Sequence, residues 1–87
     1  MYYVYLLCSE DGKDSYLGFT TDLERRVKEH NAEQKKTVYT KGKRWNLVYY
    51  EAFASEEDAR SREKRLKQDG RARYQLMKRV KNSLRVG

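Results

Sequence analysis

Tyr2-Tyr3-Val4-Tyr5-Leu6-Leu7-Cys8, then Ser9-Glu10-Asp11-Gly12-Lys13-Asp14, then Ser15-Tyr16-Leu17-Gly18-Phe19, carry the clearest structural signal in the chain. The first run is aromatic and apolar, a composition suited to a half-buried pleated surface. Alternation puts Tyr3, Tyr5 and Leu7 on one face and Tyr2, Val4, Leu6 and Cys8 on the other. The polar link contains Asp-Gly, a strong turn signal. The three pieces together predict a β-hairpin.

Beyond the hairpin, Thr21-Asp22-Leu23-Glu24 has the form of a capping box, with Thr21 as cap and Glu24 three positions on. The helix that follows is expected to run to about Asn31, with Leu23, Val27 and His30 on one face. Residues 32–44 are polar, basic and glycine-containing, and read as a loop. Trp45 to Phe53 reads as a third strand in which Leu47, Tyr49 and Glu51 alternate with Val48, Tyr50 and Ala52. Ser55 is placed to cap a second helix whose first turn, Glu56-Glu57-Asp58, suits the positive end of the dipole. That helix extends to about Gln68, with Gly70 as its C-cap position. A last basic helix runs from Arg71 to about Asn82, with Ala72, Leu76 and Val80 as its apolar spacing. The order β-β-α-β-α-α predicts an α+β, sandwich-like fold: a three-stranded, mainly antiparallel sheet flanked by helices. Antiparallel pairing is read directly for the first hairpin alone.

The chain has 87 residues, enough for one compact domain spanning 1–87 and too few for two. Its formal charge of +7 favours a polyanionic partner, nucleic acid ahead of an anionic membrane. A single cysteine, Cys8, excludes an internal disulfide and a multi-thiolate metal site; in an apolar strand its default is a buried, inert thiol. No apolar run approaches spanning length and the N-terminus lacks a signal-peptide layout, so the cytoplasm is the expected compartment and no membrane partner is expected.

Two helical positions break the pattern. Arg26 lies three residues after Leu23 and four before His30, so the pair meets at the edge of the apolar stripe. The structural reading is that Arg26 snorkels and His30 packs at a helix end. Glu63 falls between Ala59 and Leu66 on the inward stripe of the second helix, where a carboxylate is costly unless a cation pairs with it. That cation is either a metal ion or an arginine, with Arg60, Arg62 or a residue of the first helix as candidates. Most of the eight tyrosines read as core or edge packing.

Tyr3-Val4-Tyr5 followed by Tyr16-Leu17-Gly18 resembles the paired segments of GIY-YIG nucleases. Thr20-Thr21-Asp22-Leu23-Glu24-Arg25-Arg26-Val27-Lys28-Glu29-His30-Asn31 resembles the T-x-D-L-x-R-R-L-x-x-H-N segment of that family. Ala59-Arg60-Ser61-Arg62-Glu63-Lys64 is similar to its helix carrying a metal-binding glutamate. The likeness covers nearly the whole chain and is strongest to small stand-alone members, related to the N-terminal nuclease domain of UvrC and to nucleases that cut branched DNA.

The resemblance implies roles. Tyr5 and Tyr16 stand at the two tyrosine positions, Gly18 is the glycine of the second segment, Arg26 takes the arginine position, His30 matches a histidine of many members, and Glu63 matches the carboxylate that holds one divalent ion, Mg²⁺ or Mn²⁺. The implied activity is a DNA endonuclease hydrolysing phosphodiesters, with a role in repair or recombination. Tyr16 would serve as general base; since a free tyrosine titrates near pH ~10, it needs a neighbouring cation to do so. Tyr5 and His30 would share the proton work. There are three departures: Tyr3 stands at the glycine of the first segment, Phe19 replaces the lysine that follows the second segment in UvrC-like domains, and no equivalent is found for an asparagine beyond the glutamate helix, Asn82 being too distant.

Phosphate contacts are expected from the basic loop, through Lys35, Lys36, Lys41, Lys43 and Arg44, and from the last helix, through Arg71, Arg73, Lys78, Arg79 and Lys81. A solvated basic face is the plain alternative for each. Trp45 is expected to pack, with base stacking as its alternative. Targeting is assigned to DNA shape or to a protein partner, and an RNA substrate stays open. Two rival functions remain: a non-catalytic nucleic-acid-binding module that kept the fold, and a protein-interaction adaptor using the aromatic strands.

Overall fold

In the computed structural model, which describes residues 1–32 and 44–84, the opening segment forms strand β1 (Tyr2–Ser9) and pairs antiparallel with β2 (Ser15–Thr20). The turn between them is built from its own side chains. Gly12 takes a positive φ of 75°, the Ser9 hydroxyl donates to Asp11 Oδ1 at 2.6 Å, and the Asp11 carboxylate accepts from Lys13 N at 3.0 Å.

Helix α1 (Leu23–Asn31) follows β2, then β3 (Trp45–Phe53), α2 (Glu56–Gln68), α3 (Gly70–Arg79) and the short α4 (Lys81–Leu84). The sheet order is β2-β1-β3, with β3 also antiparallel to β1. The two outer strands are therefore parallel to each other, and the connection between them must cross one face of β1. Helix α1 lies on that path.

Both sheet faces are covered, which is why β1 reads as nearly continuous apolar sequence. On one face Val4 and Leu6 pack with Ala59, Leu66, Leu76 and Val80 from α2, α3 and the residue between α3 and α4. On the other, Tyr5 and Leu7 pack with Trp45, joined by Tyr16, Leu23 and Val27. Each fully buried Leu contributes about 1.5–3 kcal/mol relative to exposure. The Cys8 thiol is buried and its pKa is pushed up, by burial first and by Asp11 second, which suits the inert role expected of it.

Three local expectations change. Asp22, not Thr21, caps α1, its carboxylate accepting from Arg25 N at 3.1 Å. Thr20 folds back to accept from Asp22 N at 3.0 Å, so the polar run is shifted one residue from a capping box. Gly70 is not a C-cap but the first residue of α3, because Asp69 closes α2 and opens α3 at once. Strict alternation in β3 fails at Val48. Leu6 pairs with Tyr49 and Leu7 with Leu47, so Val48 is an extra residue in a bulge. Leu47 therefore shares the face of Tyr5 and Tyr50, and Tyr49 and Glu51 take the other. Ser55 caps α2 as expected, accepting from Asp58 N at 3.3 Å.

Candidate active site

Tyr5 sits at the centre of β1, opposite Gly18 on β2 and Tyr50 on β3. Its ring lies across Gly18: a Cβ built there would overlap the phenol carbon Cζ and its oxygen. Gly18 is required by this approach, not by an unusual backbone angle. Tyr16 pairs with Leu7, two residues along β2 on the same face as Gly18. The Tyr5 and Tyr16 rings are 6.3 Å apart.

Helix α1 crosses the same face and brings the inward stripe read from its periodicity. His30 is buried, its Nε2 lies 3.0 Å from the Tyr5 hydroxyl, and its ring is 4.7 Å from that of Tyr16. Arg26, one turn earlier, is half-exposed at the mouth of this cluster and pairs with Glu29 at 3.5 Å. Trp45 closes the floor, 6.4 Å from Tyr16 and 1 % exposed, so it packs and is not available to stack on a base.

Glu63 approaches from the other layer. Helix α2 packs beneath β1 and β2. Its Arg60 shares a cavity with Arg25 and Arg26, and its Lys67 shares another with Tyr16. The α2 stripe at 60, 63 and 67 thus meets α1 and Tyr16 around the β2 edge. The Glu63 carboxylate is 18 % exposed and holds Lys67 Nζ at 3.1 Å. Its partner is therefore neither Arg60 nor Arg62. Arg60 stacks over the Phe19 ring at 4.1 Å and pairs with Glu56 at 2.9 Å, whereas Arg62 grips Glu51 through two bonds of 2.9 and 3.0 Å.

The electrostatics follow from this packing. Burial raises the Tyr5 pKa far above its ordinary value; the neighbouring Tyr16 adds to that, Arg26 opposes it, and Glu63 and Glu29 raise it further. Burial lowers the His30 pKa, Arg26 lowers it more, and Glu29 partly offsets both. The Tyr5–His30 contact therefore joins a neutral phenol to a neutral imidazole at neutral pH.

Among the described residues no group of three or more His, Cys, Asp and Glu side chains could hold a metal. Glu63, partly buried and already facing a cation, has the chemistry of a lone protein ligand. That fits a hard divalent ion that keeps its waters and shares a phosphate oxygen, and does not fit an all-protein cage.

The proposed phosphate contacts divide. Lys35, Lys36, Lys41 and Lys43 lie outside the described residues. Arg44 is exposed, and its carbonyl accepts from Glu10 N at 2.8 Å. Arg71 is exposed in the first turn of α3. Arg73 is brought beside Tyr16, where it donates to the carbonyls of Leu66 and Lys67 at 3.1 and 2.6 Å. Two structural residues went unread in the sequence. The Asn31 amide donates to Trp45 O at 3.0 Å and accepts from Trp45 N at 2.8 Å, clamping the end of α1 to the start of β3. Glu51 binds Arg62 and accepts from the Tyr49 hydroxyl at 2.7 Å, tying β3 to α2. A carboxylate inside an apolar strand was the available signal for the second.

A sheet with this strand order, crossed by a helix that supplies arginine and histidine to two strand tyrosines, defines a class of protein, and the sequence comparisons agree with it. The profile of the GIY-YIG catalytic domain matches residues 1–77, and the chain belongs to the GIY-YIG family. A UPF0213 protein of Haloquadratum walsbyi is 42 % identical over 78 residues, covering 87 % of this chain and 84 % of its own. A UPF0213 protein of Halobacterium salinarum is 41 % identical over 78 residues, covering 88 % and 99 %. The solution NMR structure of a UPF0213 protein from Bacillus halodurans superimposes with a TM-score of 0.53 at 41 % identity, over 90 % of this chain and 84 % of that one.

Proposed function

We propose that the protein is a metal-dependent endonuclease that hydrolyses DNA phosphodiesters, with its chemistry at Tyr5, Tyr16, Arg26, His30 and Glu63, and that residues 1–87 act as one nuclease domain. The observation that carries this reading is the gathering of unlike groups about one phenol. The Tyr5 hydroxyl is bonded to His30 and feels the charges of Tyr16, Arg26 and Glu63, which come from two strands and two helices in opposite layers.

Each group has a task its chemistry permits. Arg26, half-exposed and held by a surface pair to Glu29, exchanges that carboxylate for two non-bridging phosphate oxygens, a match for its planar fork. Tyr16, in its phenolate form, takes the proton of the attacking water as the new phosphorus–oxygen bond forms and the bond to the leaving sugar oxygen breaks, and solvent protonates that leaving oxygen. Tyr5 stays protonated, as its raised pKa requires, and works with His30 to orient and relay protons rather than as a base. Glu63 would hold one Mg²⁺ or Mn²⁺, which supplies charge stabilisation at the leaving oxygen.

The test is incubation of the full chain with branched, nicked and plain duplex DNA in Mg²⁺, Mn²⁺ or chelator. Metal-dependent nicking is expected, falling at least about a hundredfold in Arg26→Ala and Glu63→Gln. Salt-sensitive binding without nicking in either metal, or variants that cut at the wild-type rate, would overturn it. Assignment to repair or recombination would follow from which substrate is cut.

A further inference from the structure

Two ion-paired carboxylates, Glu51 on β3 and Glu63 on α2, are each 18 % exposed. A carboxylate so far withdrawn from water needs a cation, and the two are held in different ways. Glu51 accepts two bonds from the Arg62 fork, at 2.9 and 3.0 Å, and a third from the Tyr49 hydroxyl at 2.7 Å. A bidentate guanidinium with a further donor is a fixed arrangement. Glu63 faces the Lys67 ammonium at 3.1 Å, a point charge on a flexible stem that is about half-exposed. Glu63 is the carboxylate whose cation can be exchanged.

Lys67 has room to withdraw but nothing better to withdraw to. It lines a cavity of about 240 Å³ with Ser15, Tyr16, Leu17, Arg73 and Met77, none of them acidic. The other cation there, Arg73, is tied to the carbonyls of Leu66 and Lys67. Leaving Glu63 therefore takes the ammonium to solvent or into a cavity with no replacement carboxylate. An ammonium and a divalent ion on one carboxylate repel each other, so at Glu63 they are alternatives. The ammonium comes from the next turn of the same helix and is always at hand.

We infer that Lys67 gates the metal site. Its ammonium occupies the Glu63 carboxylate in the free protein, must withdraw before a divalent ion binds there, and so sets how weakly the free protein takes Mg²⁺ or Mn²⁺. This rests on the assignment of Glu63 as the metal ligand and adds a resident competitor to it.

The gate is tested by binding, not turnover. Mn²⁺ is titrated into the full chain without DNA at fixed ionic strength, and the free ion is followed by electron paramagnetic resonance. Lys67→Gln is expected to tighten binding at least about threefold, the scale of one partly exposed ion pair. Lys67→Arg keeps the charge and should bind no tighter than wild type. Lys64→Gln removes an exposed charge next to Glu63 in sequence and should change the affinity much less, which separates the gate from a simple loss of net charge. Circular dichroism checks that the variants remain folded. Equal affinities in wild type and Lys67→Gln, binding by neither, or equal tightening in Lys64→Gln would overturn the gate. Tightening that persists when Lys67→Gln is combined with Glu63→Gln puts the ion elsewhere, and overturns the gate and the assignment of Glu63 together. Tighter binding as expected, in a protein that never nicks DNA, supports the gate and counts against the hydrolase reading alone.

Discussion

Tyr5 and Gly18 are one unit: the phenol occupies the volume that any other residue at 18 would need. Gly18→Ala must therefore displace the Tyr5 ring and strain its 3.0 Å contact with His30. A loss of about 1–3 kcal/mol is expected in denaturant unfolding, as for other overpacked cores; an unchanged midpoint would show that the ring moves freely. His30 gives a pH signature. Its folded pKa is below the unfolded value near ~6.5. Above that value both states are neutral and nothing is lost. As pH falls through it, the unfolded chain binds a proton that the folded chain resists, so stability declines with acidification until the folded pKa is passed. Urea midpoints measured from about pH 8 to about pH 5 should show this slope, and His30→Gln should flatten it. The meeting of Arg26 and His30 was legible because helical periodicity fixes i,i+4 neighbours. The partner of Glu63 was not. Five basic residues, Arg60, Arg62, Lys64, Arg65 and Lys67, lie within four positions of it, and the choice of Lys67 follows in part from where Phe19, Glu56 and Glu51 hold Arg60 and Arg62.

Element boundaries were legible where apolar periodicity changes, and least so where polar residues compete for one cap. Thr21 and Asp22 offer equivalent oxygens one residue apart, and only the fold-back of Thr20 onto the Asp22 backbone selects between them. Asp69 outcompetes Gly70 because its carboxylate reaches Arg71 N at 3.0 Å while its own N–H donates to Arg65 O, a double use with no sequence signature. The bulge at Val48 also depends on tertiary pairing. It adds a residue to β3 so that Trp45 arrives opposite Ser9 and drops into the Tyr5 layer. The Asn31 clamp holds that arrangement from α1. Asn31→Ala removes both side-chain hydrogen bonds to the Trp45 main chain, and about 1–3 kcal/mol should be lost in thermal or chemical unfolding. A loss within about 0.5 kcal/mol would mean that solvent replaces the amide without penalty.

Across the molecule, the strand order puts β1 in the middle and leaves β2 as the edge on which α1 and α2 converge from opposite faces. That convergence joins residues far apart in the chain, Tyr16, Arg26 and Glu63. Arg26 and Glu63 stood out as pattern-breakers and Tyr16 through the family resemblance, without revealing which sheet edge they would share. Among the described residues no helix is long and apolar enough to cross a membrane. Arg60, Lys67 and Arg73 stand near that edge, Arg60 paired with Glu56 and Lys67 with Glu63. The central position of β1 also sets an order of assembly. During synthesis β1 emerges ahead of both neighbours. It can zip to β2 at once through a tight turn, but its other side finds β3 only after α1 and the segment beyond it have left the ribosome. Closing that longer loop is the entropically costly step. Until it closes, the two-stranded ribbon exposes apolar side chains on both faces, and that is the interval in which aggregation competes with folding.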